Sequence, residues 1–230
     1  NRYLFTFNFR RDGSSRLSPQ GRWANFASFA LAWQLSEEAF IKNLDVFDQF
    51  KLRAGYGETG NQGVSAYATR SRMTAQNYPY DGTLSSGYAE DRWGGPAAPN
   101  LKWENTKQYN VGLDVAFWDN RVGFVIDIYQ KKTTDLLQYA YIPLSTGFST
   151  IATNYGNVDN RGLEIAGDFA LIRKNDFSWS MNANIAFNRN RISGLDADQF
   201  SDVVWGMESM FLRRNELPIG TLYGYQEDGF

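Results

Sequence analysis

Apolar and polar residues alternate along most of this chain with a period of two, the spacing that sends successive side chains to opposite faces of a β-strand. In Arg2–Phe9, Tyr3, Phe5, Phe7 and Phe9 share a face. In Ala27–Leu35, the residues Ala27, Phe29, Leu31, Trp33 and Leu35 oppose Ser28, Ala30, Ala32 and Gln34. Phe50–Gly57 sets Phe50, Leu52, Ala54 and Tyr56 against Lys51, Arg53, Gly55 and Gly57. The pair Tyr109–Phe117 and Val122–Leu137, joined by a tight turn at Asp119-Asn120, continues the rhythm. So do Asn160–Ile172, Phe177–Asn188 and a start near Thr221. The pattern predicts an all-β fold of about eight antiparallel strands, with one short helical turn in Ser36–Leu44.

Alternation alone leaves open which face looks inward. An apolar face turned in gives a soluble sandwich; turned out, it gives a wall in lipid. Connection lengths separate the two. Asp119-Asn120 and Arg173–Asp176 are short, and Ser36–Val46 is intermediate. Arg11–Arg22, Asn61–Trp103, Pro143–Thr153 and Ile192–Gly220 are long, and all fall at one end when the strands are counted in order. Bacterial outer-membrane barrels have short periplasmic turns and long extracellular loops, and sandwiches have no reason to segregate them. The aromatics form two groups. Trp33, Phe50, Phe117, Trp118, Phe177 and Trp179 lie by the short turns; Trp23, Tyr56, Tyr109, Tyr139, Tyr141 and Phe187 lie toward the long loops. Rings with a polar edge collect at both interfaces of a bilayer. The polar face is rich in Gly, Ser, Asn, Asp and Ala, which suits a wet lumen. These patterns favour a transmembrane barrel segment over a sandwich.

Composition narrows the chemistry. Aromatics make up 16% of the chain, a load that suits strands. The formal net charge of −2 supplies no basic field for nucleic acid. With no Cys and no His, disulfides, thiol catalysis, Ser-His-Asp triads and imidazole metal sites are excluded within these residues. No apolar run is long enough for a transmembrane helix. The chain opens in what reads as mid-strand and stops after "YQEDGF", so we expect it to be part of a longer polypeptide.

Several segments in order resemble a known family: "RRDGSSR", "FALAWQLSEEAF", "KLRAGYGETGNQ", "LKWENTKQYNVGLDVAFWDNR", "YQKKTTDLL", "LSTGFSTIATNYGNVDNRGLEI" and "PIGTLYGYQEDGF". Together they resemble the C-terminal part of the barrel of SusC/RagA-like TonB-dependent transporters of the Bacteroidetes outer membrane. The resemblance implies a twenty-two-stranded barrel of which residues 1–230 form a part, with a plug domain, a TonB box and closing strands lying outside this chain. It implies energy-coupled import of oligosaccharides or peptides. The partners implied are a SusD-like surface lipoprotein acting as a lid, TonB, outer-membrane lipid and the glycan or peptide substrate, with no nucleic acid. A dimer of transporter–lipoprotein pairs is one assembly it allows. No cofactor is implied.

The candidate ligand-binding residues are aromatic. The loop Asn61–Trp103 holds Tyr67, Tyr78, Tyr80, Tyr88 and Trp93 with Arg70, Arg72 and Arg92, a mixture able to stack on sugar rings or grip a peptide. The competing reading is a loop folded on itself or docked on the lid. Glu104, Asp114, Asp127, Glu164 and Asp168 fall on the polar strand face, and the last four are expected to face the lumen. As pairs they could in principle serve as a glycosidase acid and base, but wall positions favour structural or plug-facing hydrogen bonds. We therefore expect no catalytic residue and no enzyme activity. Asp196, Asp198 and Asp202 lack the Gly and Glu placement of an EF-hand, and no metal site is expected. Two other function classes fit the residues: a passive barrel or adhesin without a plug, and, less well, a soluble carbohydrate-binding sandwich.

Overall fold

A computed structural model describes residues 1–90, 95–201 and 210–224. Its long strands are β1 (Tyr3–Gly13), β2 (Trp23–Gln34) and β3 (Phe47–Asn61). A hairpin of β4 (Met73–Tyr80) and β5 (Thr83–Glu90) follows, then β6 (Glu104–Phe117) and β7 (Val122–Thr134). A smaller hairpin, β8 (Leu137–Tyr141) and β9 (Thr150–Asn154), precedes β10 (Asn157–Arg173) and β11 (Ser178–Ser193). The short strands β12 (Gln199–Ser201), β13 (Phe211–Arg213) and β14 (Thr221–Leu222) come last.

Seven strands make one antiparallel sheet in the order β1-β2-β3-β6-β7-β10-β11. The inserted hairpins stand in the long connections, so the sheet is an up-and-down meander. Its register is continuous except at bulges between Phe47 and Gln49 and between Ala170 and Ile172, both at the short-turn end. The register sorts the side chains as alternation requires. Val111 faces Ile128, Leu113 faces Ile126 and Val115 faces Phe124 on one side. On the other, Gly112 faces Asp127 and Ala116 faces Gly123.

The apolar face is uncovered. Phe7, Leu31, Val111, Ile128, Ile185 and Phe187 each expose 51–59% of their surface. A water-soluble sheet of this size would bury such a face. Along β11 the apolar stretch Trp179–Phe187 measures about 27 Å at about 3.4 Å per residue, the scale of a bilayer's hydrocarbon once the strand is tilted.

The buried core lies elsewhere, at the long-loop end. Leu17, Val64, Ala68, Ala98, Leu101 and Ala152 form it, with Trp103, Leu137 and Ile151 packed against it. Three long connections thus share one apolar nucleus above the sheet.

At the other end, the predicted helical turn in Ser36–Leu44 is a 3₁₀ turn that begins one residue earlier (Leu35–Glu37) and a single α-turn (Ala39–Lys42). The expected turn at Asp119-Asn120 is present, with Trp118, Asp119 and Asn120 all at φ between 55° and 56°. Asp and Asn tolerate that region through short local hydrogen bonds. Here Asp48, the bulged residue, accepts from the Asn120 backbone N–H at 2.9 Å and stabilises the turn.

Three elements differ from the sequence pattern. The stretch Val122–Leu137 is two strands: β7 stops at Thr134, Asp135 turns at φ 57°, and Leu137 begins a hairpin outside the wall. Tyr139 and Tyr141 therefore stand on that hairpin and not in the wall's aromatic row. The loop Asn61–Trp103 contains the β4–β5 hairpin, whose turn at Asp81 (φ 49°) and Gly82 (φ 71°) is the Asp-Gly pair that two-residue hairpins favour. Thr221–Leu222 pairs with β13 in a three-stranded sheet instead of joining the wall.

Candidate functional site

The polar face is built in rows that run across the strands. One row reads Thr6, Ala30, Gly55, Asn110, Tyr129, Gly162 and Asn188. The next, toward the short turns, reads Leu4, Ala32, Arg53, Gly112, Asp127, Glu164 and Ala186. Large side chains in these rows lie down over glycines of the neighbouring strand. A Cβ on Gly112 would sit 2.6 Å from Arg53 Cζ and also against Asp127. A Cβ on Gly55 would meet Asn110, and one on Gly162 would come within 2.6 Å of Asn188 Oδ1 and press on the Tyr129 ring. Tyr129 Oη donates to Asn188 Oδ1 across that glycine at 2.8 Å. Glycine is needed at these points for close approach, and the result is a low, polar surface.

Arg53 organises the charges. Its Nε and Nη2 donate to Asp114 at 2.7–3.1 Å, and Nη2 also donates to Asp127 at 3.1 Å. The fork geometry of guanidinium suits such bidentate pairing. The four carboxylates expected on this face all lie on it. Asp114 and Asp127 share Arg53. Asp168 accepts from Asn182 Nδ2. Glu164 is exposed and makes no hydrogen bond or ion pair among the described residues. Shallow concavities mark the face among the described residues. One of about 390 Å³ spans β1 to β6, and one of about 360 Å³ brings Arg53, Asp114 and Asp168 to a common wall. Arg53 was legible in the sequence only as one polar-face residue among many, because its two partners lie 61 and 74 residues away.

Among the described residues the aromatic candidates are not gathered into one cleft. On the β4–β5 hairpin, Tyr78 pairs with Ser85 and Tyr80 with Thr83, whereas Tyr88 pairs with Ala75. Tyr78 and Tyr80 therefore share one face and Tyr88 takes the other. Tyr67 stands apart in a turn at φ 65° and is exposed. Trp93 and Arg92 lie outside the described residues, as do Asp202 and Glu227–Phe230. Among the described residues no group of acidic side chains could hold a metal ion. Asp198 is engaged by Arg214, whose guanidinium holds its carboxyl below the usual carboxylate range.

The base of the loops is fastened by residues that pattern reading passed over. In "LKWEN", Leu101 is buried. The Lys102 backbone pairs in both directions with the Asn154 side-chain amide at 2.9 Å. Trp103 Nε1 donates to the Arg22 carbonyl at 2.9 Å. Glu104 accepts from the Leu137 N–H at 3.0 Å and from Asn61 Nδ2 at 3.3 Å. Four successive residues thus tie the β1–β2, β3–β6 and β7–β10 connections to one another. The sequence signal was present as a polar-aromatic cluster before a strand, but its partners are all distant in the chain.

A wall with one bare apolar face, one low polar face, short turns at one end and long fastened loops at the other defines an outer-membrane β-barrel segment. Residues 1–217 match the family model for the TonB dependent receptor-like β-barrel. The chain is 40% identical over 210 residues to the TonB-dependent receptor SusC of Bacteroides thetaiotaomicron, covering 88% of this chain and 20% of that protein. It is 36% identical over 240 residues to the TonB-dependent receptor P3 of Formosa agariphila, covering 100% of this chain and 23% of that protein. Its fold superimposes on the RagAB peptide transporter with a TM-score of 0.81 and 25% identity, over 94% of this chain and 23% of that one. The chain belongs to the TonB-dependent receptor family, in its SusC/RagA-like branch, and to the outer membrane of Gram-negative bacteria. It spans about a fifth to a quarter of the length of these relatives. At the level of the family these are transporters and not enzymes.

Proposed function

We propose that this chain is wall and extracellular loop of an energy-coupled importer of oligosaccharides or peptides. The observation that carries the proposal is the polarity of the sheet, bare and apolar on one side and low and polar on the other, in a chain that aligns along its length with SusC. The polar rows line the lumen, and Asp114, Asp127, Glu164 and Asp168 face its contents. The low surface leaves room for a plug to sit and shift. A plug domain, a TonB box and closing strands belong to the rest of the polypeptide. A SusD-like lipoprotein covers the long-loop end, where the β4–β5 hairpin and its tyrosines meet the lid or the substrate.

Two measurements on the full-length protein test this. In outer membranes, a cysteine at Glu164 should react with a water-soluble maleimide and one at Ile165 should not; the reverse pattern would turn the wall inside out. Uptake of labelled oligosaccharide and peptide mixtures should cease when TonB is deleted. Uptake that persists without TonB would favour the passive barrel.

A further inference from the structure

The outward face changes character just above its apolar band. The row containing Phe7, Phe29, Tyr56 and Tyr109 continues through Gln130 to Arg161 and Arg189. The next row toward the loops reads Glu58, Lys107, Lys132, Asp159 and Arg191. By register these positions share the face of Val111, Ile128, Leu163 and Phe187. Five cations therefore project outward from four adjacent strands, within a patch about 15 Å wide and about 7 Å tall from strand and residue spacings.

Three carboxylates answer them. Lys107 lies 3.5 Å from Glu58, Arg161 2.8 Å from Asp159 and Arg191 2.8 Å from Glu216. Among the described residues Arg189 forms neither an ion pair nor a hydrogen bond, and Lys132 acts on Asp159 only from beyond ion-pair distance. Both are exposed. The patch keeps a surplus of positive charge in a chain whose net charge is −2. At the short-turn end of the same strands, the outward positions are Val115, Phe117, Val122, Phe124, Phe169, Trp179 and Met181, with no cation. The basic patch is thus confined to one interface of the bilayer.

Long cationic side chains rooted beside an aromatic row can lay their stems on apolar surface and hold their charged ends at headgroup level. Anionic headgroups are drawn to such clusters, and guanidinium forks match phosphate oxygens. We propose that Lys107, Lys132, Arg161, Arg189 and Arg191 form a lipid site on the outside of the wall, occupied by a phosphate-bearing headgroup of the outer leaflet. This rests on the apolar face pointing to lipid.

The test uses the full-length transporter purified from its outer membrane. Native mass spectrometry would follow retention of added diphosphoryl lipid A against an uncharged diacylglycerol. The variant Lys132→Gln/Arg161→Gln/Arg189→Gln/Arg191→Gln should lose lipid A at least tenfold, with diacylglycerol unchanged. If that variant loses the heat-modifiable gel mobility of a folded barrel, Arg189→Gln alone should still cost about threefold. Lipid A retention unchanged in folded variants would overturn the proposal. So would binding of inorganic phosphate alone that is lost in the same variants, since the site would then serve a free anion. A cysteine at Ile185 reports the orientation separately: in bilayers it should resist water-soluble maleimide. If it reacts, the outward reading fails whatever lipid A does.

Discussion

At the scale of single residues, the polar face depends on glycines that let larger neighbours lie flat. Gly112 and Gly57 sit on the same face, one strand apart, yet their surroundings differ. A methyl on Gly112 enters the space of Arg53 and Asp127, whereas one on Gly57 meets only Ser28 Cβ at 3.8 Å. Gly112→Ala should lower stability by roughly 1–3 kcal/mol through displacement of a charged hydrogen-bond network, and Gly57→Ala should be close to neutral. The temperature at which each full-length variant loses its heat-modifiable mobility measures the difference. Glu38 gives a second residue-scale expectation. Tyr3 Oη and Trp33 Nε1 donate to it at 2.8 and 3.1 Å, and these bonds hold its carboxyl below the ordinary carboxylate value. A depressed folded-state value means the stabilisation is fully present above the unfolded value of about 4.3 and is lost as pH falls through the folded one. Hydrogen-exchange protection factors across residues 36–46, which correct for the intrinsic pH dependence of exchange, should therefore fall on acidification in the wild type. In Glu38→Gln they should be lower at neutral pH and change little with acid. Identical pH profiles would show that the carboxylate does not hold this turn.

At the scale of elements, the sequence pattern held where a strand buries or exposes a whole face, and weakened in the connections. Phe50–Gly57, Tyr109–Phe117 and Phe177–Asn188 lie within β3, β6 and the region of β11 because alternation over a long wall strand is unambiguous. The β4–β5 hairpin was missed although "YPYDGTL" carries its turn, since its strands alternate polar with polar and give no buried face to detect. The same cause explains the split of β7 from β8: Thr133, Thr134 and Asp135 interrupt nothing in hydropathy, and only the backbone turn at Asp135 ends the strand. Among the described residues the main element contacts of the β4–β5 hairpin are between its own two strands. Replacing residues 73–90 with a short Gly-Ser linker should leave barrel assembly and heat-modifiable mobility intact. Substrate binding, read by calorimetry on the transporter, should weaken if Tyr78, Tyr80 and Tyr88 contact ligand or lid, and an unchanged affinity would remove them from the binding surface.

At the scale of the whole molecule, the wall is one sheet whose two outer strands, β1 and β11, each pair on a single side among the described residues. Unpaired backbone groups in lipid cost several kcal/mol each, so this sheet is stable only when flanked by further strands. Residues 1–230 expressed alone in detergent-free buffer should sediment as aggregates; a folded monomer there would contradict the outward apolar face. Alternation, loop asymmetry and aromatic placement favoured a barrel wall over a sandwich, because a bilayer imposes the same two-faced pattern on every strand that crosses it. They located Asp114, Asp127, Glu164 and Asp168 on the polar face for the same reason. Sequence could not decide which of those carboxylates share Arg53, or that Lys107, Lys132, Arg161, Arg189 and Arg191 line up across four strands. It also could not show that Tyr88 faces away from Tyr78, or that "LKWEN" fastens three loops. Each of these depends on cross-strand register or on contacts between distant segments, which local periodicity does not encode and only the assembled sheet fixes.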